Sequence, residues 1–471
     1  MSQGLLPYTV ETVSDFAGLT SRAGLPLVLE TLRALRLEPA IAQHLHLRER
    51  QSGYTETEKV EALILLLAAG GDCLDDIAIL QADAGLGRLL DRRLPSADTL
   101  RHFLYACHDD QLIAQAQAAR PAGQVAYIPA ENAALQGLAR VNTALVQRVA
   151  AQGKSTSATL DHDATIQESH KREALPHYKG GRGYQPTAVY GVEQDLVVAD
   201  EYRDGNVGAG TATLPLIQRA FANLPPSVTT YFFRADTACD NEPTLKWLAD
   251  PGRPGGPAGP IGFTIGADMT KELHRVCDAV REARWQLCEE RPEETVHCTE
   301  VECFPGDWSK QAAPLRYVAL RLRKKQGELF ANGADTKYLA IVSNRWELAV
   351  PALLRWHWQK AGTIELVHDS TKNELGAAVP PCGRFGANAA WYRLSLLTYN
   401  VLSALKSLAL PPALSAARPK RLRFTLFTLA GRLLTHAGQL VLRVSEAAEA
   451  LAGLIAARQR LARVAQALPA G

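Results

Sequence analysis

The chain has 471 residues, 47% hydrophobic and 21% charged, with a formal net charge of +2. That is an ordinary globular composition, long enough for about two to four domains and a real core, and its near-neutral balance names no partner by itself. The longest apolar run, VEALILLLAAGG at 60–71, falls short of the roughly 20 residues that a bilayer-crossing helix needs and reads as a buried helix instead, while eight cysteines without a dense pairing pattern, and no basic-then-apolar leader, point to a reducing cytoplasm without membrane association.

From the N-terminus to about residue 150, apolar residues recur at three- and four-residue intervals, as in GLPLVLETLRALRL and TETEKVEALILLLAAG, and predict packed helices. The stretch PSADTLRHFLYAC (95–107) reads as a capped helix start, with Ser96 or Asp98 as cap and Arg101 and His102 near its beginning. A helix entering a DNA major groove can begin this way, and so can a bundle helix. From about 155 to 248, SATLDHDAT, PTAVYGVEQ and DLVVADEYR read as successive strands, TATLPLIQRAFANL as a helix, and SVTTYFFRAD as a strand ending at Asp236. This order predicts a mixed α/β core and matches the beginning of an RNase H-like fold, in which an antiparallel meander is followed by a crossover.

The Pro/Gly segment ADPGRPGGPAGPIGF (249–263) is a loop by composition. Beyond it a helix is expected over TKELHRVCDAVREARWQLCEE and strands over ETVHCTEVECF, LRYVALRLRKK and TKYLAIVSN. One helix is then expected over AVPALLRWHWQKAGTIELVHDSTKNEL, and helices from there to the C-terminus. Basic residues, among them Arg421 and Arg423 in RPKRLRF, outnumber acids from Lys406 onward, a tail drawn either to phosphate or, as a helix pair, to water alone.

Asp161 and Asp163 share one face of their strand and would repel each other unless a metal ion, a basic side chain or open water lay between them. Asp236 ends a second strand, and Glu365, Asp369 and Lys372 fall at i, i+4 and i+7 on one helix face. Two strand-end carboxylates and a helical one converge from distant sequence. Such a cluster suits the hard cations magnesium and manganese, and a pair of ions about 3.5–4 Å apart can activate an attacking oxygen and stabilise a leaving one at phosphorus.

These motifs resemble those of DDE transposases of bacterial insertion sequences, in the branch with a β-rich insertion before the catalytic glutamate. LDHDAT resembles the first-Asp motif, FRADTACDN the second, and GTIELVHDSTKNELG the glutamate motif with a lysine seven positions on. The flanks YKGGRGYQP, EYRDGNV, LRYVALR and CGRFGANAAWYRL share the family's look, as does GGDCLDDI near the N-terminus. The resemblance implies an RNase H-like catalytic core with helical N- and C-terminal regions. A helical DNA-binding region would span 1–150, the core 151–248 and 349–405, a β-rich insertion 249–348, and a basic helical region 406–471. It implies metal-dependent cleavage at the ends of an insertion sequence and strand transfer into target DNA, carried out with two Mg²⁺ ions per site, Mn²⁺ substituting. Asp163, Asp236 and Glu365 would be the catalytic metal ligands, with Asp161 the competing choice at the first position, and Lys372, Lys360, Arg421 and Arg423 would contact DNA. Where the branch often has an arginine or tyrosine before the glutamate, this chain has Lys360 and Trp358. The implied partners are terminal inverted repeats and target duplex, bound by a homodimer in the bacterial nucleoid.

Other readings stay open. The same fold serves nucleases that cut without joining and DNA-binding derivatives that have lost catalysis. Asp369 and Glu374 compete as third ligand, and HCTEVEC, with His297, Cys298 and Cys303, hints at zinc but lacks a second ligand pair. His162 is expected to pack on the opposite strand face, His368 suits either a packing or a functional role, and Trp308 and Trp346 are core or base-stacking residues.

Overall fold

The computed structural model describes residues 18–47, 52–153, 155–304, 308, 314–325, 329–331, 333–445 and 449–468. The outermost residues of the expected terminal regions therefore lie outside the described residues. After a short strand at Leu19–Thr20 (β1), helices follow at Leu27–Ala34 (α1), Leu37–His44 (α2), Glu56–Ala69 (α3), Ile77–Gln81 (α4), Ala84–Leu90 (α5), Ala97–Tyr105 (α6), Asp110–Ala118 (α7) and Ala133–Ala150 (α8). The Thr55 hydroxyl accepts the Glu58 amide while the Glu58 carboxylate accepts the Thr55 amide, a reciprocal cap that starts α3. Val60 and Leu63 to Leu67 of that helix are buried on every side, as the apolar run requires. Among the described residues no helix is long and apolar enough to cross a membrane.

Strands Ser157–Ala164 (β2), Gln167–Glu168 (β3), Leu175–Pro176 (β4), Arg182–Tyr184 (β5), Thr187–Gly191 (β6) and Leu196–Glu201 (β7) come next, then helix Thr213–Ala222 (α9) and strand Thr230–Ala235 (β8). Helix Glu242–Ala249 (α10) and strand Ile261–Ala267 (β9) lead to helix Lys271–Asp278 (α11) and strands Gln286–Glu290 (β10), Glu294–Val301 (β11), Arg316–Lys324 (β12) and Thr336–Ser343 (β13). Nine of these strands form one sheet in the order β10-β11-β12-β13-β9-β8-β2-β6-β7. β2, β6 and β7 make the antiparallel meander, and β8 and β9 run parallel to β2. Chain direction thus turns left from β2 for the meander and right for the crossovers. This is the strand order of an RNase H-like core, and the segment before the glutamate adds its strands to the edge of that same sheet through β13 and β9.

Helices Val350–Trp358 (α12), Ile364–Glu374 (α13), Phe385–Leu408 (α14) and Pro419–Leu422 (α15) precede a hairpin, Gly431–His436 (β14) and Gln439–Val444 (β15), and a last helix, Glu449–Ala467 (α16). α14 is buried along almost its whole length and lies under β7.

Four expectations differ from the structure. The helix expected over 349–375 breaks at Thr363 (φ −121°, ψ −90°) into α12, a tight turn and α13. The helix expected over 270–290 ends at Asp278, and QLCEE forms β10, whose bulge sets Cys288 beside Cys298 in a disulfide with Cα atoms 6.0 Å apart. That bond removes Cys298 from any zinc set. IGFTIGA, at the end of the Pro/Gly loop, is the interior strand β9. The tail is not wholly helical: RLLTH and QLVLRV pair about Ala437 (φ 48°) and Gly438 (φ 77°), two left-handed residues that make the tight turn a hairpin needs.

Candidate active site

The parallel pairing of β2 with β8 sets Asp161 opposite Arg234. Two residues further along both strands, where regular pairing stops, stand Asp163 and Asp236. They lie at the carboxyl ends of adjacent parallel strands, at the point where the strand order reverses, which is where open α/β sheets hold their ligands.

The two acids of LDHDAT have different fates. Asp161 is fully buried and gripped by Arg234 through two bonds, Nε to Oδ1 at 2.7 Å and Nη2 to Oδ2 at 2.8 Å, with a further bond from the Thr363 hydroxyl. Arg234 also donates to the Trp356 carbonyl at 2.7 Å and lies over the Trp356 ring. Burial raises the Asp161 pKa against the opposing pull of Arg234. An acid whose oxygens are both spoken for is a structural counter-ion. Asp163 is less buried and turns its carboxylate towards Lys360, whose Nζ is 3.2 Å from Oδ1, and His368, whose Nε2 is 3.9 Å from Oδ2.

Asp236 begins a tight turn by accepting the Ala238 amide at 3.1 Å. Its pKa is raised chiefly by burial; the Lys360 charge lowers it and the Asp163 charge raises it. The two aspartates therefore share one electrostatic site with Lys360.

The helical acid is held differently. Glu365 is exposed in the first turn of α13. His368 and Lys372, three and seven positions on, lie on the same helical stripe. His368 faces Asp163, and Lys372 donates to the Ile166 carbonyl at 2.7 Å, just beyond β2. Glu365 thus starts the stripe that runs along the strand end, with its carboxylate open to solvent. Among the described residues Asp163, Asp236 and Glu365 are not gathered within 4.8 Å of one another as a trio. The competing acids are engaged elsewhere: Arg418 pairs with Asp369 at 2.5 Å and with Glu374 at 2.6 Å.

His162 is fully buried on the opposite face, bonded to the Thr187 hydroxyl at 2.8 Å, and burial pushes its pKa down to about 3. His368, buried beside Asp163, is pushed to about 3 by burial and then by Lys360, with the Asp163 backbone pulling the other way. In the basic tail Arg421 is exposed, whereas Arg423 is committed to the fold, donating to the Glu374 carbonyl at 2.9 Å and reaching that of Ala68 at 3.5 Å. Trp308 is buried and Trp346 exposed. Asp72, Cys73 and Asp76 do cluster, but in the helical N-terminal region, where Asp76 accepts the amides of Asp72 and Cys73.

Sequence reasoning missed two partners, Arg234 and the Lys360 ion pair. The first had a partial signal: DHD and RAD each end a strand and each put alternate residues on one face, but the register that sets arginine opposite the first acid comes from the folded sheet. The second had none, because it depends on the break at Thr363.

No curated protein matches the chain. Among solved structures it is similar to a piggyBac transposase in a synaptic complex with hairpin DNA, determined by cryo-EM, at 12% identity and a TM-score of 0.48, over 86% of this chain and 81% of that one. The family model described as "Transposase DDE domain group 1" matches residues 8–466, nearly the whole chain, and the protein therefore belongs to the DDE transposases.

Proposed function

We propose that the protein cleaves DNA at the ends of an insertion sequence and joins the freed ends to target DNA, with Asp163, Asp236 and Glu365 holding divalent metal. The observation that carries this reading is the pair of carboxylates, Asp163 and Asp236, side by side at the reversal point of the sheet and served by one buried ammonium. Oxygen-only donors, two of them crowded enough that one raises the other's pKa, fit a hard divalent cation such as Mg²⁺ or Mn²⁺. When bound, such a cation lowers the pKa of water and stabilises charge on phosphate oxygens.

The chain's own residues do the rest. Asp163 and Asp236 hold fixed positions because β2 and β8 are interior strands, and Asp161 with Arg234 locks the register between them. Glu365, on the exposed start of α13, closes the site from the solvent side. Lys372 and the exposed Arg421 bind phosphates. In the first step water attacks phosphorus and the bond to the 3′-oxygen breaks, leaving a 3′-hydroxyl; that hydroxyl then attacks a target phosphodiester and displaces its 3′-oxygen.

The test is an incubation of the protein with labelled DNA carrying the gene's own flanks, with and without Mg²⁺ or Mn²⁺. Asp163→Asn, Asp236→Asn and Glu365→Gln should each keep DNA binding and lose cutting. Asp161→Asn should instead lose about 3–5 kcal/mol of stability, the cost of leaving buried Arg234 unpaired. Cutting at wild-type rate by either Asp163→Asn or Asp236→Asn would remove the assignment. Cut ends that never join would favour a nuclease on the same fold.

A further inference from the structure

Lys360 is 8% exposed and lies in the tight turn between α12 and α13. Its ammonium has one ion-pair partner among the described residues, Asp163. Among the described residues no backbone carbonyl accepts a hydrogen bond from its ammonium. It is a flexible side chain parked against the first of two neighbouring carboxylates, inside the sheet-end crevice.

We propose that Lys360 is a resident counter-ion that takes the place of the metal in the DNA-free protein, so that metal must displace it from Asp163 to bind. The proposal rests on the reading of Asp163 and Asp236 as metal ligands. Its logic is electrostatic. Two aspartates at adjacent strand ends repel each other, and without a cation the cheapest relief is protonation or separation of the strand ends. The ammonium neutralises them and keeps the crevice assembled. The same positive charge disfavours a divalent cation at that place, since the carboxylate oxygen that Lys360 holds is one the metal needs. A phosphate arriving with DNA offers the ammonium another anion, and a lysine, a point charge on a long flexible stem, can change partners where a fork-shaped arginine fixed to one carboxylate cannot. The break at Thr363 puts Lys360 on a turn that can let it go, beside Arg234, whose grip on Asp161 is permanent.

The experiment is a titration of Mn²⁺ into the DNA-free full-length protein, followed by the electron paramagnetic resonance of free Mn²⁺. Lys360→Gln should bind Mn²⁺ about tenfold more tightly than wild type, the size of effect one neighbouring charge exerts on a carboxylate. Equal or weaker binding by Lys360→Gln would overturn the proposal. Asp163→Asn is the control for the underlying reading: if it binds Mn²⁺ as well as wild type does, the metal site itself is misassigned, whatever Lys360 does. A second measurement needs no variant. Lysine acylation read by mass spectrometry should find Lys360 protected in the metal-free protein and reactive once Mn²⁺ is added. Protection that Mn²⁺ leaves unchanged would also overturn the proposal.

Discussion

Asp204, in the EYRDGNV stretch after β7, is 7% exposed, and its carboxylate has no hydrogen-bond or ion-pair partner among the described residues. Burial alone raises its pKa from 3.8 to about 6. A raised carboxyl pKa means that the folded state prefers the protonated form. Below about pH 3.8 both states are protonated and folding carries no penalty; between 3.8 and 6 the unfolded chain ionises first and stability falls; above 6 the penalty is complete, at up to about 3 kcal/mol. Asp204→Asn should therefore stabilise the protein by about that much at pH 7.5 and by much less at pH 4.5. Chemical denaturation at the two pH values checks it, and an equal gain at both would show that charge is not the cause. At this scale the sequence was informative where strand alternation applied. DHD and RAD could be read as two facing pairs, but the reading stopped at a shared face and left Asp161 open, because which acid meets the arginine depends on a register that only the folded sheet supplies.

Thr363 shows how an element boundary makes a site. The hydroxyl that could cap α13 is turned to Asp161, the same oxygen lies 2.9 Å from the Lys360 carbonyl, and the backbone leaves helical geometry at that point. The break lets Lys360 point into the crevice while Glu365 begins a new helix on its rim. Thr363→Val keeps the shape and removes the donor, so a buried carboxylate loses one hydrogen bond. A loss of about 1.5–3 kcal/mol is expected, with Arg234 still in place, and urea unfolding measures it; no change would mean that the bond to Asp161 contributes nothing. The uninterrupted apolar and charged pattern from Ala349 to Leu375 hides this break, since both halves are helical and only Gly362 marks the joint. β9 was hidden for the opposite reason: Gly262 and Gly266 extend the look of the Pro/Gly loop, and in the sheet an added Cβ at Gly266 would stand 3.1 Å from the Thr237 amide nitrogen. The meander, in contrast, was legible, because β6 and β7 carry unbroken apolar stretches and all three strands are bounded by turn residues, as buried strands are.

At the scale of the whole molecule the catalytic sheet is not a separable unit. Arg393 of α14 is buried and joins three parts of the chain: it bonds Asp200 on the edge strand β7 at 3.0 Å, Glu131 before α8 at 2.7 Å, and the Leu135 carbonyl at 2.7 Å. Asn400 of α14 bonds both the amide and the carbonyl of Val197 in β7 and also Asn142 of α8. One continuous apolar core includes Leu32 of α1, Leu138 of α8, Leu160 of β2, Leu397 of α14 and Leu461 of α16. Cutting the chain at 150 and 405 would expose the α14 face that α3 and α8 cover, and would leave Asp200 and Arg393 without Glu131. Removing one member of a buried charge group costs about 3–5 kcal/mol, a large part of the 5–15 kcal/mol that holds a typical domain together. A fragment of residues 151–405 is therefore expected to be unfolded or insoluble, and calorimetry of the full chain should show the sheet and the N-terminal helices melting in one transition. A soluble fragment with its own cooperative melt would mean that the helical regions are accessories to the sheet, and that the acids at its reversal point keep their positions without them.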